Sequence, residues 1–185
     1  MKKMLIGGGL LAVAALVALA FIVPSKMNTQ TTDLPADITW LSWDEAIQMA
    51  EKNPKKIFVD LYTDWCGWCK KMDATTFKNP EVVRYMNENF YAVKFNAEQQ
   101  EAVQYKDHTF KYIASGRRGV HELAYSLLDG RLGYPSYVYL DEQQNRITIS
   151  PGYKDAAALL KELGYIVGNH YQQKTYEEYL RSAGF

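Results

Sequence analysis

The sequence predicts an α/β fold, a mixed central sheet with helices on both faces. Three observations carry this. Two compact β-branched and aromatic runs, "KIFVDLYT" and "FYAVKFNA", are separated by a long helical pattern. Two further strand-like runs, "YPSYVYLDE" and "RITISPGY", joined by a polar turn, read as an antiparallel pair. An amphipathic helix, "DAAALLKELGYIV", follows them. Strand, helix, strand, hairpin and helix in that order make a sheet whose two faces must both be covered.

"MKK" is a short basic start, and no charge interrupts the apolar run from Leu5 to Val23. About 20 apolar residues suffice to cross a bilayer as a helix. Ala18-Leu19-Ala20 offers a small-x-small cleavage site, but the apolar run continues past it. Residues 1–26 are therefore read as a membrane anchor, with a cleaved signal as the alternative. Lys2 and Lys3 should stay in the cytoplasm, so the remainder is expected to be exported. In a bacterial setting that means facing the periplasm or the cell exterior. Residues 27–37 read as a polar linker.

"SWDEAIQMAEKN" opens with Ser42 and carries Glu45 three residues on, a capping box ahead of a helix. "KIFVDLYT" is apolar enough to be a central strand. From Cys66 the pattern turns helical, and Asn79-Pro80 should kink or restart the helix. "VQYKDHTFKY" suggests a small hairpin around Lys106-Asp107. "SGRRGVHELAYSLLDG" reads as a turn leading into a helix capped by Gly130. "KTYEEYLRSAGF" reads as a short helix packed on the domain.

A chain of 185 residues fits one domain plus extra segments and needs no disulfide to hold a core. Lys+Arg and Asp+Glu balance at 21 each, and no block of like charge appears, so nucleic acid is a poor candidate for partner. The chemistry lies in "FVDLYTDWCGWCKKMDATTF", which holds the only two cysteines, Cys66 and Cys69. A bond between them would close a very small loop and remove little unfolded-chain entropy. Such a pair suits making and breaking a bond better than stapling a fold. A helix starting at Cys66 would aim its unpaired N–H groups and its dipole at that sulfur, favouring thiolate. Cys66 is then the nucleophile, and Cys69, almost one turn on, resolves the mixed disulfide. Zinc is the chemical rival, but a structural site needs four ligands, and His108, His121 and His170 are scattered. Those histidines are expected on the surface or in loops, with no metal.

These residues resemble the thioredoxin family. "FVDLYTDWCGWCK" is similar to its active-site signature, a strand carrying V-D followed by W-C-x-x-C-K. "AVKFN" matches the lysine-bearing strand, "GYPS" the cis-proline, and "SPGY" the glycine after the last strand. The "WCGWCKKM" form is similar to exported bacterial thioredoxin-like proteins. It also resembles the C-terminal domain of the membrane thiol–disulfide interchange reductants. The resemblance implies a thioredoxin fold over residues 38–168, with an insertion at about 98–130 before the cis-proline and a helical extension at 169–185.

It also implies roles. Asp60 would be a buried proton acceptor for Cys69, or simply half of an ion pair with Lys94. Lys94 would hold that carboxylate's charge in check. A cis peptide before Pro135 would turn the Tyr134 backbone toward Cys66, where an extended substrate adds like a strand. Gly67 would permit close approach of a partner. Trp65 and Trp68 would flank the sulfurs as a docking surface, with core packing as the blander alternative, more so for Trp65. Arg117 and Arg118 read either as a reader of a substrate carboxylate or as solvated cations.

The activity implied is thiol–disulfide exchange without a cofactor, on proteins with disulfides or thiols. A thiol protein would supply electrons, plausibly a membrane reductant conductor. Net reduction is favoured over isomerase or oxidant activity, although the Gly-Trp spacer departs from the Gly-Pro of cytosolic thioredoxins. A non-catalytic partner-binding module on the same scaffold is the reading from another class.

Overall fold

The computed structural model describes residues 35–184, so the apolar segment read as an anchor and most of the linker lie outside them. Among the described residues no helix is long and apolar enough to cross a membrane.

The sheet begins with β1 (Trp40–Leu41), too short to show a sequence period. Ser42 then caps α1 (Trp43–Lys52). Its hydroxyl accepts the Glu45 N–H at 3.3 Å, and the Glu45 carboxylate accepts the Ser42 N–H at 2.8 Å. β2 (Lys56–Tyr62) is the central strand. It pairs in parallel with β3 (Phe90–Asn96) and antiparallel with β8 (Ser136–Leu140). β9 (Arg146–Pro151) completes the order β1-β3-β2-β8-β9. With neighbours on both edges and helices on both faces, β2 is buried almost throughout, which is why it reads as a continuous apolar run.

Alternation along β2 sorts the core into two layers. Ile57, Val59 and Leu61 face α1 and α4 (Glu122–Leu127). Phe58 faces α2 (Gly67–Ala74), α3 (Pro80–Asn89) and α5 (Ala156–Val167), through Met72, Val83, Met86, Leu159 and Leu163. Asp60 shares the parity of Phe58. The restart expected at Asn79-Pro80 is present: the Asn79 side chain accepts the Glu81 and Val82 N–H groups, and Pro80 takes the first helical position.

The insertion departs from expectation. β4 (Val103–Tyr105) and β5 (His108–Phe110) form the expected hairpin. A second hairpin, β6 (Tyr112–Ile113) and β7 (Val120–His121), stands where only a turn was expected. Two-residue strands carry no readable period. Its packing is tight at Gly119, where a Cβ would meet the Ile113 carbonyl at 2.2 Å. His121 corrects the expectation of surface or loop histidines, for it is fully buried. Its Nδ1 accepts the Leu123 N–H at 3.2 Å, so Nε2 carries the proton and donates to the Glu101 carbonyl at 3.0 Å. Both ring bonds stay within the insertion, and the ring packs edge-on against Phe95 of β3 at 5.2 Å. The C-terminal α6 (Tyr176–Ser182) packs on α5, where the Tyr165 ring lies 5.3 Å from Tyr176 and 5.4 Å from Tyr179.

Phe58 is fully buried and contacts the rings of Trp40, Phe77, Phe90, Tyr137 and Tyr139. Phe58→Ala should therefore cost about 3–5 kcal/mol, measured by urea denaturation. A loss under about 1 kcal/mol would contradict this account of the core.

Candidate active site

The chain leaves β2 and turns into α2 through a short loop. Cys66 occupies the N-cap of α2, one residue before the helix proper. Its N–H donates to the Thr63 carbonyl at 3.1 Å, fixing the turn, and its Sγ accepts the Cys69 N–H at 3.1 Å. A disulfide joins Cys66 and Cys69, whose Cα atoms are 5.3 Å apart. Both residues are buried.

The strand register brings the other predicted residues together. Asp60 on β2 stands opposite Lys94 on β3 and Tyr137 on β8. Asp60 is 1% exposed. Its Oδ2 accepts the Lys94 ammonium at 2.7 Å, while its Oδ1 has no hydrogen-bond partner among the described residues. Burial drives its pKa up from 3.8 to about 6, and Lys94 offsets only part of that. Burial lowers the Lys94 pKa, but Asp60 and a second carboxylate, Asp73, more than compensate, so it is raised.

Asp73 was missed in the sequence. It lies on α2 and also accepts a bond from the Lys94 ammonium. The available signal was its place four residues after Cys69, on the same helix face. The rings of Trp40, Tyr62 and Phe77 surround the ammonium at 5.0 to 5.3 Å. Lys94 and Asp73 also line a cavity of about 420 Å³, with Asp37 and Lys78. Lys94 thus links the buried Asp60 to a half-exposed carboxylate at an open cavity.

Directly ahead of β8 the Tyr134-Pro135 peptide is cis, and Pro135 is buried. The Pro135 carbonyl accepts the Gly152 N–H at 2.8 Å. Gly152 holds φ +88 in open space, so backbone conformation, not crowding, calls for glycine there. No Cβ clash occurs at Gly67 either, leaving free space beside the sulfurs.

Trp65 and Trp68 are 51% and 57% exposed, which corrects the core-packing alternative for both. Each anchors a polar–aromatic cluster. Trp65 packs edge-on against Tyr134 at 6.1 Å, and its indole N–H donates to Glu98 at 3.0 Å. Arg118 lies over its ring at 4.6 Å, so this arginine is stacked as well as solvated. Trp68 meets Tyr153 at 5.3 Å, with Lys71 at 4.9 Å from both rings. Among the described residues no group of three or more His, Cys, Asp or Glu could hold a metal ion.

The model of the family Thioredox_DsbH, described as "Protein of unknown function, DUF255", matches residues 25–161. Spermatogenesis-associated protein 20 of Mus musculus is 34% identical over 83 residues, 44% of this chain and 10% of that protein. The thiol:disulfide interchange protein DsbD of Tatumella citrea is 35% identical over 63 residues, 34% of this chain and 11% of that protein. The chain thus spans about a tenth of the length of the first curated relatives it matches. The solution structure of a thioredoxin from Thermus thermophilus superposes with a TM-score of 0.53 at 18% identity, covering 70% of this chain and 87% of that one. This is the thioredoxin fold.

A carboxylate whose folded pKa exceeds its unfolded one holds extra protons between the two values. Native Asp60 should therefore lower stability as pH rises from about 3.8 to about 6, and the loss persists above that. Asp60→Asn should abolish this part of the pH dependence, gaining on the order of 3 kcal/mol relative to wild type between pH 3 and 7. Denaturation midpoints across that range check it, and parallel pH profiles for both proteins would refute the raised pKa.

Proposed function

This chain belongs to the Thioredox_DsbH family, and from that premise we propose that it is a thiol–disulfide oxidoreductase that reduces disulfides of exported proteins. One observation supports this most directly: the Cys66–Cys69 pair sits at the start of α2, in the same domain layer as the buried Asp60–Lys94 pair.

In the reduced protein the Cys66 sulfur lies where the first N–H groups of α2 and the helix dipole favour a thiolate. That thiolate attacks one sulfur of a substrate disulfide. The substrate S–S bond breaks, a mixed disulfide forms at Cys66, and the second substrate sulfur leaves and takes a proton. Cys69 then gives up its proton, with Asp60 as the acceptor, and attacks the Cys66 sulfur. The mixed disulfide breaks, the substrate leaves as a dithiol, and the Cys66–Cys69 disulfide remains. Two electrons and two protons have passed to the substrate. An external dithiol protein must return them, and a membrane-embedded conductor of reducing equivalents fits the anchored, exported placement we propose for the chain. Asp60 suits the proton step because burial raises its pKa to about 6, and it connects to solvent through Lys94 and Asp73. The Tyr134 backbone, ahead of the cis-proline, offers groups for an extended substrate to pair with. The open space at Gly67 lets that substrate approach the sulfur.

The reduced chain should accelerate reduction of insulin disulfides, and Cys66→Ser should return the rate to background. Cys69→Ala should instead accumulate mixed disulfides through Cys66, visible on non-reducing gels. Insulin reduction that survives Cys66→Ser would overturn the catalytic assignment. A reduction potential near about −120 mV, that of a strong oxidant, would overturn the reducing direction.

A further inference from the structure

The insertion between β3 and β8 reaches the residue that precedes the nucleophile. Trp65 stands next to Cys66 in the chain, and two side chains of the insertion hold it. Glu98 accepts its indole N–H at 3.0 Å, and the Arg118 guanidinium lies over its ring at 4.6 Å. Tyr134, directly before the cis-proline, meets the same ring edge-on at 6.1 Å. Trp65 is thus gripped by three side chains while it stays half-exposed.

Both insertion residues stand on fixed backbone. The Glu98 N–H donates to the Asn96 side chain at 2.9 Å, at the end of β3. The Ala97 N–H donates to the Tyr62 carbonyl of β2 at 2.8 Å, and the Ala97 carbonyl accepts the His121 N–H at 2.7 Å. Glu98 therefore starts from the sheet itself. Arg118 sits in the turn between β6 and β7, where its N–H and carbonyl exchange hydrogen bonds with Ser115 at 3.1 and 3.2 Å. Gly119 beside it packs so closely on the Ile113 carbonyl and the Tyr112 ring that a Cβ would clash. A half-exposed indole without such contacts would have to be ordered by the substrate as it docks. Ordering one large side chain costs enough to change affinity severalfold. Held in advance, the indole offers one wall beside the sulfur without that cost.

We propose that Glu98 and Arg118 are positioning residues that fix the Trp65 indole before a polypeptide substrate arrives. Trp65 and the Tyr134 backbone then form a preset wall for the segment beside the substrate's disulfide. This rests on the oxidoreductase reading above and gives the insertion its part in it, affinity for extended chains. Neither residue touches the reacting sulfurs. Their effect passes through Trp65, so it belongs to binding and is specific to substrates large enough to reach that wall.

The test uses the reduced full chain with insulin as the polypeptide disulfide and 2-hydroxyethyl disulfide as the small one. Glu98→Ala should raise KM for insulin roughly threefold to tenfold, with the change in KM and not in kcat. It should lower kcat/KM for insulin relative to that for 2-hydroxyethyl disulfide by the same factor. Arg118→Ala should act in the same direction. Glu98→Gln keeps a carbonyl acceptor for the indole N–H and should recover most of the loss. A double-mutant cycle separates positioning from plain support of the fold. In a Trp65→Phe background, which has no indole N–H, Glu98→Ala should add no further rise in KM. An equal rise in both backgrounds, a loss confined to kcat, or a KM unmoved by Glu98→Ala overturns the positioning role and leaves the oxidoreductase reading standing. Failure of the wild-type chain to reduce either disulfide overturns that reading, and the positioning role with it.

Discussion

The hydrogen bond from the Cys69 N–H to the Cys66 sulfur is the interaction on which the site depends. It places a sulfur where a helix ordinarily recruits a serine, threonine or aspartate oxygen. The same N–H that caps α2 in the folded domain is then available to an anionic sulfur. Everything around it serves to hold that geometry. The Thr63 carbonyl fixes the turn, Met72 seats α2 in the core, and β2 delivers the chain at the end of the central strand. Helix capping and thiol chemistry are one arrangement here.

Below the helix the fold tolerates an expense. Asp60 is a carboxylate in the central strand, buried on every side, with one oxygen unpartnered among the described residues. Buried ion pairs can often be replaced by apolar side chains without loss of stability, so stability alone does not account for this one. Lys94 keeps the carboxylate from being an isolated charge. Because Asp73 shares the same ammonium and stands half-exposed, the buried group is connected to solvent through polar atoms. The proton exchange proposed for Asp60 would use that link, which packing alone does not require.

Much of this was legible because strand geometry is regular. The two apolar runs mark β2 and β3, but the pairing of Asp60 with Lys94 across them was implied by the thioredoxin resemblance, and the strand register bears it out. Ser42 and Asn79 signal their caps through local chemistry, and Cys66 and Cys69 stand out as a close pair of thiols, whereas the cis peptide at Pro135 was implied by the thioredoxin resemblance. What escaped was set by tertiary packing. Asp73 is a lone acid on a mostly polar helix face, and only the Lys94 side chain reaching to it reveals its part. The β6–β7 hairpin is too short for a period, so Arg118 on Trp65 and the buried His121 had no sequence signal. Trp65 is apolar in composition arguments, yet it stays half-exposed, held by Glu98 and Arg118 of the insertion and by Tyr134.

The central claim is that the start of α2 acidifies the Cys66 thiol. The pH dependence of its alkylation rate in the reduced chain measures this most directly. The account predicts a midpoint near or below about 7, with fast alkylation at neutral pH. A midpoint near about 8.5, with the rate of an unstructured peptide thiol, would contradict it.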